Sequence, residues 1–490
     1  MRRILALAAS LLLTLSCGTC MAQKEAFVWY FGTNLGLDFN FSPPRVLSDG
    51  RISFRNYEPT NLCESAASIA DREGNLLFYT DGVTVWTRDH TIMPNGTGLL
   101  GHCTTTQTLI VPLPNSNLYY IFTATPQGNY SDGFLSPVKG FYYSLVDTEL
   151  NNGLGEVISK NNKLTGSTTE KIAGTHHANG RDVWVLMHEW ENDIFRAYLV
   201  TKNGLQTDPV LSRAGQVHSG GRFLNIGELT GGNAIGQMKF APNGQTLALA
   251  LYFAKRAEVF DFDNLLGKVY FRDSITNFTS DNPTIYGVEF SSSGRFLYLN
   301  DGFRQVMQFD LLAPSVNESK VLLKDETDLF LDNPKAMQLG PDGRIYIAKT
   351  FMNFAGIISY PDVKGVACEY LSRGIELGPP FNWESLPNFL SSYFFNPAKY
   401  PDVTSFELPN VFTPDGDGYN DVFVPYSNFN VEISLVRIFN RWGKLVKEIT
   451  NQEEGWDGDN SPSGVYFWQA RYKGISGQEF MKKGWVQLIR

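Results

Sequence analysis

The chain lacks clustered positive charge. Its 490 residues include 41 Lys and Arg against 50 Asp and Glu, which gives a formal net charge of −9. No run of basic residues interrupts the sequence. Because binding to a phosphate backbone requires grouped Lys and Arg, we expect no nucleic acid among the partners of this protein.

Long hydrophobic runs are also scarce. The run from Ile4 to Leu15 is too short to span a bilayer. It follows a short basic start, and the small residue Ala22 ends a cleavage-like pattern before Gln23. This arrangement is typical of a secretory signal peptide over residues 1–22. We therefore expect a mature chain that begins at Gln23 and has no transmembrane span.

The sequence has only five cysteines. Cys17 and Cys20 lie within the predicted signal peptide; a lipoprotein signal ending at either is the alternative to simple cleavage, although the preceding residues fit a lipobox poorly. The other three, Cys63, Cys103 and Cys368, have a spacing that suits no metal site, and their odd number leaves at least one thiol unpaired within the chain. Small buried side chains are the favoured interpretation, and a disulfide between Cys63 and Cys103 stays open.

Catalytic motifs are missing as well. The sequence contains no G-x-S-x-G elbow, no phosphate-binding loop and no H-E-x-x-H pair. His176 and His177 could serve a metal or acid–base site with His188, but His188 lies eleven residues beyond His177 across a predicted turn. Turn capping and packing are the favoured roles for these histidines. Three acidic residues likewise have no partner that spacing identifies: Glu64, Asp81 and Asp89.

The sequence pattern of a β-hairpin recurs from residue 26 to about residue 395. An apolar strand leads into a turn rich in Pro, Asn, Asp and Gly, and a second apolar strand follows. The turn glycines Gly244, Gly294 and Gly343 are 50 and 49 residues apart, and looser copies surround Gly74, Asn115 and Gly180. Asn-Gly and Asp-Gly accept the positive φ that tight hairpins require.

A repeat of this length with paired strands is typical of a β-propeller, in which blades close into a ring and hide their edges. Six hairpins, with closing strands from Phe27–Phe31 and from the 383–395 region, predict six or seven blades over residues 23–396. The segment 397–407 contains two prolines and no apolar periodicity. We interpret it as a linker.

The last part of the chain has a different pattern. Residues 408–421 read Leu-Pro-Asn-Val-Phe-Thr-Pro-Asp-Gly-Asp-Gly-Tyr-Asn-Asp, and Ile-Phe-Asn-Arg-Trp-Gly (438–443) and Gly-Trp-Asp-Gly (455–458) follow. Alternation at Val431, Ile433 and Leu435 indicates a strand with one buried face. Residues 465–468 are apolar on both faces, as in a strand inside a sandwich. We therefore predict an all-β chain: a propeller followed by a small β-sandwich.

With its motifs in this order, the block at residues 408–490 resembles the type B C-terminal sorting domain of the type IX secretion system, also called the gliding-motility-associated C-terminal domain. The resemblance implies that outer-membrane type IX secretion machinery recognises these residues. It also implies a protein that passes through the periplasm and is secreted or attached to the outer cell surface. The block from Trp29 to Gly96 is similar to propeller-like regions often fused to such domains, which implies architecture but no activity.

One loop in this block is a candidate metal site. Asp415, Asp417 and Asp421 occupy positions one, three and seven of a glycine-rich stretch, like the start of a Ca²⁺ loop. No Glu follows at position twelve. The alternative, which we favour, is a turn whose carboxylates cap backbone N–H groups. Ca²⁺ is the one cofactor that the sequence suggests.

Two functions fit these features. The first is a binding or adhesion protein that uses the propeller as a rigid platform for an unknown surface glycan or protein. The second is an extracellular enzyme that acts on glycans, with its site at the propeller channel. A propeller supports either function, so the fold does not decide between them. The lack of a catalytic constellation favours the first.

Overall fold

The structure is a computed structural model of the chain. It describes residues 23–53, 65–102, 108–127, 139–221, 231–278, 284–301, 304–325, 333–379, 384–395, 406, 408–416, 420–425, 431–450, 455–474 and 479–490. The predicted signal peptide, Cys63, Cys103, Glu64 and nearly all of the predicted linker lie outside these ranges. In the part of the chain that the structure describes, no helix is long and apolar enough to cross a membrane.

Seven antiparallel sheets precede residue 377 in the described residues. The first contains β1 (Val28–Phe31), β2 (Leu35–Asp38) and β3 (Arg45–Leu47). The second contains β4 (Ala67–Ala70), β5 (Leu76–Thr80), β6 (Thr84–Thr87) and β7 (Ile92–Thr97), and the third β8 (Leu109–Pro112), β9 (Leu118–Ala124), β10 (Phe141–Asp147) and β11 (Glu156–Thr165). The fourth contains β12 (Ile172–His176), β13 (Val183–His188), β14 (Ile194–Thr201), β15 (Gly204–Leu205) and β16 (Val210–Arg213).

The remaining three sheets have four strands each. They are β17 (Met238–Phe240), β18 (Thr246–Leu251), β19 (Arg256–Asp263) and β20 (Lys268–Ile275); β21 (Val288–Phe290), β22 (Phe296–Asn300), β23 (Gln305–Asp310) and β24 (Val321–Asp325); and β25 (Pro334–Leu339), β26 (Ile345–Lys349), β27 (Phe354–Ile358) and β28 (Tyr370–Glu376). Helical content in the described residues is limited to short turns at Leu150–Gly153, Gly232–Ala234, Asn317–Ser319, Gly365–Cys368 and Ser391–Phe394.

Neighbouring sheets pack face to face around a ring. Buried apolar residues fill each interface, represented in chain order by Tyr30 with Tyr79, Ile69 with Ile121, Phe122 with Val185, Phe195 with Phe260, Val259 with Val288, and Tyr298 with Ile358. The first and last of these pairs belong to one continuous cluster. The seventh sheet then returns to the first, where the rings of Tyr346 and Trp29 lie 5.5 Å apart. This closed order of sheets confirms the predicted propeller.

The first strands of the second to seventh sheets lie side by side and line the central channel. At the first sheet, residues 384–395 close the ring. The amide of Gly32 donates to the hydroxyl of Ser385 over 3.1 Å, and the amide of Asn388 donates to the carbonyl of Ala66 over 3.0 Å. The sequence predicted closing strands from both ends. Phe27–Phe31 supplies β1 (Val28–Phe31), whereas the prediction of a closing strand from 383–395 is wrong for its described part, because residues 384–395 pair with no strand and contact the ring through single hydrogen bonds.

The hairpin turns are equivalent, as predicted. Gly244, Gly294 and Gly343 have φ values of 70°, 73° and 77°. Each amide donates three residues back, over 2.8, 2.8 and 2.9 Å, and each turn joins the first two strands of its sheet. Because the first sheet has three strands and the others four or five, the count of six or seven blades stays a prediction.

The C-terminal part forms a separate five-stranded sheet in the order β29 (Val411–Phe412), β33 (Glu479–Leu488), β32 (Gly464–Gly474), β30 (Val431–Phe439) and β31 (Leu445–Ile449). Of the strand pairs that the structure describes in this sheet, β29 with β33 is parallel and the others are antiparallel. A bridge between Phe423 and Trp456 adds a second layer over the buried face. Among the described residues, the hydrophobic core of this part contains none from the propeller, which confirms a small β domain after the propeller.

Two details differ from the sequence prediction. Phe406, which the sequence places in the linker, is buried in the C-terminal core and stacks on Tyr472 with ring centroids 4.5 Å apart. The prediction that residues 465–468 are buried on both faces is wrong. Tyr466 and Trp468 are buried, whereas Val465 and Phe467 are exposed, because the core covers one face of the sheet only.

Candidate functional site

The exposed face of the C-terminal sheet carries large apolar side chains. Phe439 pairs with Leu445 on one side and with Phe467 on the other, and Phe467 pairs with Trp485. Phe467 and Trp485 are 49% and 52% exposed. In the adjacent β30–β31 turn, Trp442 is 82% exposed. Outward positions of a half-buried sheet are normally polar, so this face is unusual.

The predicted calcium loop is only partly described, since Asp417 lies outside the described residues. The carboxylate of Asp421 accepts a hydrogen bond from the amide of Gly416 over 2.7 Å, and the amide of Thr413 donates to the carbonyl of Asn420 over 2.8 Å. The Asp421 contact is a backbone cap, as the alternative predicts. Within the described ranges, no three or more His, Cys, Asp or Glu side chains could together hold a metal ion. The Ca²⁺ site at Asp415, Asp417 and Asp421 stays a prediction.

A buried polar network joins the first strands of neighbouring sheets at the centre of the ring. Lys239, in β17, donates from Nζ to the side-chain oxygens of Gln338 over 2.6 Å and Asn388 over 3.1 Å. Burial lowers the pKa of Lys239 to about 8, and the nearby Glu289 carboxylate opposes this shift. The two oxygens of Glu289 accept from the amides of Phe290 and Leu339, each over 2.9 Å. Burial raises the pKa of Glu289.

The closing segment supplies the other half of this network. Asn388 donates from Nδ2 to the carbonyl of Ile172 in β12 over 3.2 Å. Glu384 forms an ion pair with Lys335 in β25 over 3.0 Å. All four side chains of the central group (Lys239, Glu289, Gln338 and Asn388) are buried. Their polar atoms therefore bind one another and the backbone, and the network joins four sheets to the segment that completes the ring.

Sequence reasoning missed this network. Its only local trace is a charged or amide side chain inside an otherwise apolar first strand, as at Lys239 and Glu289. Such a residue in a hairpin reads equally well as a solvated strand position. The two partners of Lys239, Gln338 and Asn388, lie 99 and 149 residues away in the chain, so no spacing rule identifies them.

The histidines serve packing and turns, as predicted. Nδ1 of His176 lies 2.8 Å from the hydroxyl of Ser392. Nδ1 of His177 accepts from the amide of Asn179 over 3.0 Å. His188 instead stacks on His218, with ring centroids 3.7 Å apart, a pair that the sequence did not indicate. Burial lowers the pKa of His176 to about 4 and that of His188 to about 3.

The remaining candidates also have structural roles. The carboxylate of Asp81 accepts from the amides of Val83 and Thr84 at a strand end, and the amide of Asp89 donates to Thr87. Cys368 is a buried free thiol, and burial raises its pKa. These contacts match the structural interpretations made from the sequence.

A cavity of about 420 Å³ opens between the first and seventh sheets. Phe39 and Phe41 line one side of it, and Asp342 and Arg344 line the other. Phe41 is 49% exposed. Asp342 accepts a hydrogen bond from the hydroxyl of Tyr346 over 2.8 Å, and burial raises its pKa.

Comparison with known structures returns propeller-like folds at low similarity. A putative 6-phosphogluconolactonase from Bacteroides uniformis is 10% identical, covers 73% of this chain and 99% of its own, and has a TM-score of 0.44. The β-propeller domain of Myceliophteria thermophila Cps50 (Swd1) is 11% identical, covers 66% and 94%, and has a TM-score of 0.36. The periplasmic gluconolactonase PpgL of Pseudomonas aeruginosa is 12% identical, covers 84% and 94%, and has a TM-score of 0.36.

Similarity at this level carries no argument about activity, and the propeller assignment rests on the order and packing of the sheets. No curated protein matches the chain. Residues 406–488 match the family described as CHU_C Type IX secretion signal domain. This match begins at Phe406, the residue at which the C-terminal core begins among the described residues. The chain therefore carries a type IX secretion signal domain at residues 406–488, which implies export to the cell surface or into the medium.

Proposed function

We propose that this protein is a binding or adhesion protein that the type IX secretion system exports, with the propeller as its rigid binding platform. The observation that supports a binding role is the burial of the polar side chains at the centre of the ring. A catalytic site at the channel would need reactive side chains that a substrate can reach. The side chains of Lys239 and Glu289 are instead buried and hydrogen-bonded, and Asn388 of the closing segment lies against Lys239.

The ligand is a surface glycan or protein, and the cavity between the first and seventh sheets is the position at which we place it. Its volume falls within the range of roughly 300–1,000 Å³ that is typical of ligand sites. The exposed ring of Phe41 offers an apolar face, and Asp342 and Arg344 offer polar groups that can orient a ligand. This combination suits a sugar, which has apolar C–H faces and hydroxyl edges.

The domain plan that accompanies this function is a proposal as well. A signal peptide at residues 1–22 directs the chain to the periplasm, residues 23–396 form the propeller, and a linker from residue 397 precedes the domain at 408–490. The burial of Phe406 in the C-terminal core supports a start of this domain two residues earlier. Outer-membrane secretion machinery is the partner of this domain.

A binding screen of the purified mature chain against surface glycans and surface proteins tests the proposal. We expect a ligand whose affinity falls at least ~10-fold in Phe41→Ala, as for removal of an aromatic anchor. The matched control is Tyr270→Ala, which removes a similarly exposed ring from β20 outside the cavity. Turnover of a glycan that Glu289→Gln abolishes in a folded protein would instead establish the enzyme hypothesis.

A further inference from the structure

The outer face of the C-terminal sheet has a continuous apolar row. We define the apolar row as Leu445, Phe439, Phe467 and Trp485, one residue from each of β31, β30, β32 and β33. At a strand spacing of about 4.8 Å, the row spans about 14 Å across the sheet. We infer that the apolar row is the surface through which the signal domain docks on its outer-membrane export partner. The inference rests on the proposed function, because it names the contact surface of the same domain.

The apolar row is not needed for the core of the domain. The opposite face of the same strands already packs a complete core, with Val436, Tyr466, Trp468 and Val486 pointing inward. An exposed aromatic pair such as Phe467 and Trp485 adds nothing to that core. Contiguous exposed apolar side chains with polar surroundings mark interaction surfaces, and the few residues that carry most of the binding energy at such surfaces are enriched in Trp, Tyr and Arg.

The surroundings of the apolar row indicate the chemistry of the partner. One row further along the sheet, Arg437 and Lys483 lie on either side of Gln469, and Arg471 lies beyond. Arg437 also forms an ion pair with Glu448 over 2.8 Å. At the other end, Arg441 lies 5.6 Å from the exposed ring of Trp442. The partner surface that complements this arrangement is an apolar strip with acidic residues beside it.

Charge argues against a second copy of the same chain as the occupant. A second copy would present the same basic residues, Arg471 and Lys483, beside its row, and not the acidic residues that complement them. Like charges at an interface cost binding energy. The family match supports the export partner instead, since all four residues of the apolar row lie within residues 406–488, the region matched as a secretion signal.

The experiment compares export of full-length variants in the native host. We expect Phe467→Gln with Trp485→Gln to reduce the amount at the surface and in the medium at least ~10-fold, as for loss of a hot-spot pair, and to leave folded protein in the periplasm. The matched control, Tyr270→Gln with Phe271→Gln, changes two equally exposed rings on β20 and should export normally. Deletion of residues 406–490 tests the proposed function itself.

The outcomes are distinguishable. If the deletion is exported normally, the proposed function fails. If the deletion is retained but the Phe467→Gln/Trp485→Gln variant is exported normally, only the docking inference is wrong. If that variant does not fold, a second variant, Arg471→Glu with Lys483→Glu, tests the inference, because both positions are exposed and their substitution leaves the core intact. Retention of this second variant in the periplasm supports the inference, and its normal export overturns it. A wild-type dimer in sedimentation that the glutamine variant converts to monomer would identify the row as a self-association surface and overturn it.

Discussion

Leu390 of the closing segment fills a space that a glycine leaves open. Leu390 is fully buried between the third and fourth sheets. A Cβ added at Gly174 in β12 would lie 2.5 Å from Cδ2 of Leu390 and 2.8 Å from Cδ2 of Leu109. Both contacts are too short, so a side chain at position 174 would force the two leucines to shift, and close packing rather than backbone conformation favours Gly174.

Three variants measure how much this contact stabilises the closed ring. Leu390→Ala should lower the free energy of unfolding by about 2–5 kcal/mol, through lost burial and the remaining cavity. Gly174→Ala should cost about 1–3 kcal/mol because it overpacks the site. In the double variant the new methyl group occupies part of the space that Leu390 leaves. We therefore expect the double variant to be more stable than the sum of the single effects predicts, by about 0.5–3 kcal/mol.

Guanidinium-induced unfolding of the purified mature chain gives the three free-energy changes. Leu266→Ala is the control, because Leu266 is exposed in a turn and its truncation should change stability by no more than about 0.5 kcal/mol. Two results would refute the reasoning. One is a cost below about 1 kcal/mol for Leu390→Ala, far under the range for a buried leucine. The other is strict additivity of the two single variants, which would mean that the two side chains do not share one space.

Three further predictions address the turns, the buried histidines and the acidic loop. Gly294→Val should cost on the order of 1 kcal/mol or more in thermal unfolding, because a β-branched side chain is strained at a φ of 73°; an unchanged midpoint would contradict it. Burial lowers the pKa of His188 to about 3 and that of His218 well below 6.5, so below pH 6.5 the unfolded chain binds protons that the folded chain does not. The free energy of unfolding should therefore not change with pH through these groups above pH 6.5, and it should fall as the pH drops from 6.5 towards 3. A pH series of unfolding midpoints measures this fall, which should be shallower in the variant His188→Phe with His218→Phe than in the wild type. Asp421→Ala removes the acceptor of the Gly416 amide and should lower the free energy of unfolding of the C-terminal domain by about 1 kcal/mol. If the loop is a backbone cap, the loss should be the same with EDTA and with Ca²⁺. A loss seen only in the Ca²⁺ sample would establish the metal site.

Local patterns explain why much of this fold is readable from the sequence. The turns at Gly244, Gly294 and Gly343 depend on a few adjacent residues, because a tight hairpin needs positive φ at one position and the flanking strands need apolar residues. Val431, Ile433 and Leu435 lie in β30, and their alternation with polar neighbours is likewise visible within a few adjacent residues. The motifs of the C-terminal domain are also contiguous, so its resemblance to a secretion signal domain could be recognised directly.

Burial and partnership could not be obtained in this way. The apolar residues 465–468 gave no indication that Phe467 faces outward, because a strand alone does not show which of its faces another layer will cover. Lys239 finds Asn388 only when the ring closes, 149 residues along the chain. The stacked pair of His188 and His218 likewise forms where a strand and a loop meet. The sequence by itself determined the hairpins, their turns and the kind of domain at the end of the chain, since these depend on neighbouring residues. The tertiary structure alone decided which polar groups meet in the channel and which apolar face stays exposed, since both depend on the packing of segments that are distant in sequence.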